Sequence, residues 1–143
     1  MPGSSNIVNV TKIVNQFYLA AGSAVQLQVI DKLFIPELPD LATFNGATTK
    51  GIWIVPNGGQ LVGERMIDAP YIAHCYGGPT GYTGARAVAT AFVNQTRAAH
   101  GTDVAAGRVI GAQIESSGQM LREPETNPPW FQELVFFRIQ VGP

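Results

Sequence analysis

The sequence predicts an α+β fold: a mostly antiparallel sheet with two main helices packed on one face and a long loop in the C-terminal hairpin. Three observations carry this expectation. Apolar residues recur at helical spacing in two stretches, near residues 10–21 and 84–100. Short β-branched and aromatic runs bounded by Pro and Gly lie between them. Residues 130–141 alternate as a strand does. Strands on both sides of one long central helix suit a sheet covered by helices on a single face.

Residues 1–8 read as a loose end. Val10, Val14, Phe17, Tyr18 and Ala21 then fall at i, i+4, i+7, i+8 and i+11 of a first helix, which Gly22-Ser23 ends or kinks. Residues 25–35 fit either a strand or a second helical turn. Pro36 and Pro39 make 36–50 an extended connection. A strand over 51–55 is closed by Pro56 and the turn Asn57-Gly58-Gly59. Next come an irregular strand within 61–69 and a third over 71–76, with Pro70 between them. Thr83 is the N-cap candidate of a second helix over 84–100. Ala85, Val88, Ala89, Phe92, Val93 and Ala99 form its apolar side. His100 in its last turn and Gly101 just beyond suit a helix C-terminus.

The chain closes with strands over 108–115 and 130–141, joined by a Pro-rich connection over 116–129. In the last strand Phe131, Val135, Phe137, Ile139 and Val141 share a face on which only Glu133 is polar. Gln132, Arg138 and Gln140 share the other face with Trp130, Leu134 and Phe136. That mixed face suits contact with another subunit or a thin helical layer.

The 143 residues suit one domain, 1–143, large enough to bury a real core. Only 13% of them are charged, about half the share of an ordinary soluble domain. A monomer so sparsely charged is poorly protected against association, so protein partners are expected to cover part of its surface. The formal net charge of −1 gives no basic footprint for gripping DNA. The single Cys75 excludes an internal disulfide framework and fits a reducing compartment. No apolar run approaches the ~18 residues of a membrane span. Asn15 and Gln16 interrupt the one apolar stretch near the N-terminus that a secretory signal would need, so a cytoplasmic protein is expected.

Catalytic chemistry finds little support. His74 and Cys75 are adjacent on a strand and point to opposite faces, so they form no dyad. Two histidines and one cysteine without close spacing give no metal signature. Glu123 and Glu125 lie in a Pro-bounded loop and read as solvated charges rather than an acid–base pair. The Gly-rich run from Gly77 to Gly84 joins a strand to a helix, where phosphates can bind, but it lacks the Gly-Lys-Ser/Thr ending of a P-loop. Trp53 and Trp130 have few basic neighbours and suit core or interface anchors better than base stacking. No catalytic, metal or cofactor residues are expected.

From about Gly51 to Val141 the order of elements resembles the tail-terminator (tail-completion) proteins of long-tailed bacteriophages, especially those of actinobacterial phages. The resemblance runs from the strand 51–55 and the turn Asn57-Gly58-Gly59 to the charged segment Glu64-Arg65-Met66-Ile67-Asp68. It continues through Asp68, Pro70 and an apolar strand ending in Tyr76-Gly77, then the Ala-rich helix. It closes on Ile114-Glu115-Ser116-Ser117-Gly118, Glu123-Pro124 and the aromatic-rich last strand. Residues 25–50 are longer and more apolar than the family's usual lead-in.

The resemblance implies a ring, usually a hexamer, on the head-proximal end of the tail tube. Such a ring stops tube polymerisation and presents a surface for head-completion or connector proteins. Double-stranded DNA passes through its lumen without sequence-specific binding. The protein would then belong to the virion, at the head–tail junction, after assembly in the host cytoplasm, with no membrane partner. Candidate subunit or partner contacts are Met120, Leu121, Arg122, Glu123, Glu125, Trp130, Leu134, Phe136 and Arg138, with the connection 116–129 as a docking arm. Another neck component, such as a head-closure or minor capsid protein, is the alternative. A small hydrolase or ligand-binding domain using Cys75 with His74 or His100 is a third reading.

Overall fold

The computed structural model describes residues 8–37, 43–122 and 128–143. Among these residues three α-helices and seven strands follow in chain order: α1 (Val10–Tyr18), α2 (Ala24–Val29), β1 (Leu33–Phe34), β2 (Lys50–Pro56), β3 (Leu61–Val62), β4 (Ile67–Gly77), α3 (Tyr82–Arg97), β5 (Thr102–Val104), β6 (Gly107–Arg122) and β7 (Phe131–Gly142). The strands form one sheet in the order β1-β2-β4-β7-β6-β5, with β3 also paired to β4. All pairings are antiparallel except β1 with β2. The architecture is α+β, as the periodicities indicate.

Alternation along the central strands defines the two sheet faces. Ala69, Tyr71, Ala73 and Cys75 of β4 share the core with Val135, Phe137, Ile139 and Val141 of β7 and with Ile52 and Ile54 of β2. Helix α1 presses Val10, Ile13, Val14, Phe17 and Tyr18 onto this layer, α2 adds Val25 and Val29, and α3 adds Val88, Ala89 and Phe92. The helices thus lie on one face, and the aromatic centre is theirs and the sheet's jointly. Tyr18 stacks on Phe92 at 4.4 Å, and Phe92 meets Phe137 edge-on at 5.0 Å. Such pairs add about 0.5–1.5 kcal/mol each beyond burial.

Local chemistry accounts for most boundaries. Asn9 caps α1 by accepting from Lys12 N at 3.0 Å, and Leu19 ends the helix, so Ala21 is exposed instead of helical. Ser23 opens α2 by accepting from Gln26 N, which resolves the ambiguous 25–35 into a short helix followed by β1. Pro70 does not separate two strands but sits inside β4. There β2 has ended at Pro56 opposite Tyr71, and β3 resumes only at Leu61 opposite Asp68. A residue without an N–H is tolerated in that gap.

Two expected boundaries move. Helix α3 starts at Tyr82 behind Gly81, with no side-chain cap, because Thr83 lies inside it and a 3₁₀ turn over Gly78–Thr80 leads in. It ends at Arg97, leaving His100 beyond it, and Gly101 turns the chain at φ +60° into β5. The larger correction concerns the hairpin. β6 runs through Ser116 to Arg122, so the first half of the expected loop is strand. Register shifts at Val109/Gly111, Ile114/Ser116 and Ser117/Gln119 each insert one residue. Val109, Ala112, Ile114, Ser117 and Met120 therefore lie opposite the core-facing row of β7, at spacings that hide the strand period.

Candidate functional site

The face of the sheet away from the helices is the candidate contact surface. Cross-strand register places Trp53, His74 and Leu134 in one row with Gln119, and Val55, Ile72 and Phe136 in the next with Ser116. Trp53, Ile72 and Phe136 are half-buried, which leaves an aromatic and branched strip partly open. Trp53 stacks on His74 at 4.8 Å and donates its indole N–H to the Pro36 carbonyl at 2.7 Å. His74 Nδ1 lies 2.6 Å from Gln132 Oε1. These contacts orient Trp53 and His74 within the strip.

At one end a second small core covers the same face. Phe44, Tyr76 and Trp130 pack edge-on at 5.4–5.6 Å, with Phe34, Ala47 and Trp53 against them. Gly46 and Gly51 allow the closeness, since a Cβ on either would press on the Trp130 or Phe44 ring. At the other end Asp68 accepts from Arg138 Nε at 3.2 Å and from Gln140 Nε2 at 3.0 Å. The open strip is thus bounded by an aromatic plug and a polar clasp.

The expected contact residues divide accordingly. Phe136 and Arg138 are half-buried on this face, although Arg138 is already paired with Asp68. Trp130 and Leu134 are corrections: at 5% and 7% exposure they are buried within the subunit, Trp130 by the plug and Leu134 by the rows beside it. Leu121 and Arg122 are exposed at the end of β6, and Met120 is half-buried. Glu123 and Glu125 lie outside the described residues.

The outer edge of β6 is the second surface. β5 pairs with it only from Gly107 to Val109. Among the described residues no strand pairs with the edge beyond, where residues 115–119 are exposed. An edge with free backbone groups is a template for another chain. Gly118, at φ +96°, and the three bulges twist it, which restrains indiscriminate pairing.

Two features escaped the sequence reading. Exposed apolar side chains concentrate on the tight β3–β4 hairpin, where Leu61, Val62 and Met66 are 65%, 73% and 40% exposed. Glu133, the polar member of an apolar row, is buried and ion-paired with Arg86. Its interruption of the apolar pattern was the available signal, but the pattern could not name Arg86 as its partner.

The groups considered for chemistry are not arranged for it. Cys75 is fully buried, and desolvation, with the neighbouring Glu133 charge, pushes its thiol well above the usual range. His74 is on the opposite face, and His100 is exposed beyond α3. Gly77 and Gly84 serve packing, because a Cβ on Gly77 would overlap the Gly81 carbonyl and one on Gly84 the Gly77 carbonyl. Among the described residues, no three His, Cys, Asp or Glu side chains cluster for a metal, and no helix is long and apolar enough to cross a membrane. Comparison with protein-family models and with curated proteins gives no match.

Proposed function

We propose that this protein is a structural assembly subunit, a phage tail terminator that forms a ring at the head-proximal end of the tail tube. The observation that carries the reading is the one-sided sheet: helices cover one face, while the other keeps a half-open aromatic strip beside an edge of β6 that, among the described residues, no strand pairs. A ring of identical subunits needs two different complementary patches per subunit. Here the strip, the edge and the exposed hairpin are distinct surfaces of one fold. The sparse charge favours their burial, and a net charge near zero suits a lumen through which DNA passes without being held.

In this reading the partners are further copies of the chain, a tail-tube protein and a head-completion protein, and the protein resides at the head–tail junction of the virion. Sedimentation, native mass spectrometry and electron micrographs of the purified chain are expected to reveal a closed oligomer. Added tail tubes from the same phage should carry a cap at one end. A chain that stays monomeric and leaves the tubes uncapped would sink the proposal. Rings that bind capsid portals but ignore tubes would move it to another neck component.

A further inference from the structure

Two large apolar side chains stand out on the helix side of the molecule. Leu27 of α2 is 67% exposed, and Ile30, just past the end of that helix, is 63% exposed. Leu27 shares the outward face of α2 with Ala24, which is exposed as well. Ile30 adopts φ +63° in a turn closed by the 3.0 Å bond from Lys32 N to the Val29 carbonyl. A β-branched residue is strained in that conformation, and glycine would adopt it freely. Packing within the subunit does not offset the strain, because the side chain is mostly in water. Strain retained at an exposed apolar residue points to a contact beyond the subunit.

Ala24 also borders a groove. Phe17, Ala20, Ala24, Ala98 and Val104 line a depression of about 450 Å³ where the α1–α2 corner meets the end of α3 and β5. The polar side chains around it are largely engaged. Gln95 bonds the Phe17 carbonyl and Val25 N, Ser23 bonds Gln26 N and the Tyr18 carbonyl, and Asp103 pairs with Arg108. Few groups are left to orient a polar ligand, and the groove suits aliphatic side chains.

We infer that this helix-side face is a two-fold interface, in which Leu27 and Ile30 of a second copy of this chain cover the groove. Knob and groove are neighbours on one surface, a single helical turn apart along α2. A two-fold rotation between them lays the knob of each copy over the groove of the other, which is the self-complementarity of an isologous contact. The two α2 helices then run antiparallel and cross near Ala24, whose small side chain permits close approach. Charge agrees with this placement. The far side of the groove carries Arg97 and Arg108 against one acid, Asp103, and Arg97 forms no ion pair among the described residues. The exposed Asp31 of the second copy arrives there, its own pairing with Lys32 a long 3.6 Å. The contact is on the helix side, away from the open strip, and is independent of the ring reading.

Sedimentation equilibrium over graded concentrations tests it with two variants. Leu27→Ala with Ile30→Gly removes the knob, and Ala98→Gln, at an exposed position, fills the groove. Each is expected to weaken pairing by about 30-fold or more, the scale for losing central interface anchors. An equimolar mixture should pair more tightly than either variant alone, since one intact knob then meets one intact groove. Ile30→Gly by itself should weaken pairing yet raise the urea midpoint of the chain diluted to monomer, because it relieves the strain. Where rings form, the contact shows as pairs of rings that the variants split. A variant that pairs like the unmodified chain, or a mixture no tighter than its parts, overturns the interface. Rings whose mass neither variant changes uphold the ring reading and overturn this contact, whereas pairs without rings do the reverse.

Discussion

Gly84 lies where α3 crosses the end of β4, and a methyl group there would overlap the Gly77 carbonyl oxygen and the Thr80 hydroxyl. Helix propensity alone makes Ala better than Gly in a helix by about 1 kcal/mol. Packing reverses the sign, because the obstruction is backbone at a strand end that cannot step aside. Gly84→Ala is therefore expected to destabilise the fold by about 3 kcal/mol, read from the urea midpoint. A stabilised variant would show that α3 can lift off the sheet. The glycine run was legible in the sequence as a strand-to-helix junction. Its purpose was not, since the carbonyl it must clear is seven residues away in the chain and adjacent only in the fold. Alternation sufficed to place His74 and Cys75 on opposite faces, because that follows from backbone geometry alone.

At the scale of elements, one side chain brackets the three helices. Gln95 of α3 donates to the Phe17 carbonyl near the end of α1 at 2.9 Å and accepts from Val25 N in the first turn of α2 at 2.9 Å. Both partners are groups that a helix terminus leaves unsatisfied. Gln95→Ala orphans both, and a loss of about 2 kcal/mol is expected, with faster hydrogen exchange at the Val25 amide. Unchanged exchange there would mean that water substitutes for the amide. The helices themselves were readable from periodicity and from Gly22-Ser23. Nothing local in the chain marks Gln95 as a clamp, because its two partners are 70 and 78 residues away. β6 was half-missed for a related reason. Ile110, Glu115 and Gly118 are the inserted residues of its bulges, and each reverses the alternation by which a strand is recognised.

For the whole molecule, buried acids set the response to alkali. Burial raises the Cys75 thiol and the Tyr18 phenol above their ordinary values of 9.0 and 10.0. The Tyr18 hydroxyl approaches Thr96 Oγ1 at 2.6 Å, and since Thr96 donates to the Phe92 carbonyl, Tyr18 must be the donor. Deprotonation would break that chain. A raised acid in the folded state means that the unfolded chain releases its proton first. Stability is thus complete below the unfolded values and declines as pH rises above them. The expected loss is about 1.4 kcal/mol per pH unit per group. Between about pH 9 and 10 only the thiol contributes, so Cys75→Ala should flatten the urea-unfolding profile in that window. The same variant should leave self-association intact, because Cys75 touches no outer surface. An identical slope in the variant would assign the decline to other groups.

By itself the sequence determined the class of fold, both main helices and the core-facing row of the last strand. These rest on periods of 3.6 and 2 that the backbone imposes locally. The low charge content was equally legible there, and it is what raised the expectation of protein partners. Only the tertiary structure decided which surfaces remain available. It buried Trp130 and Leu134 inside the subunit, extended β6 through the expected loop, and set Glu133 beside Arg86 at the rim of a cleft. Those outcomes depend on register and on groups far apart in the chain meeting across the sheet, and no local pattern encodes them.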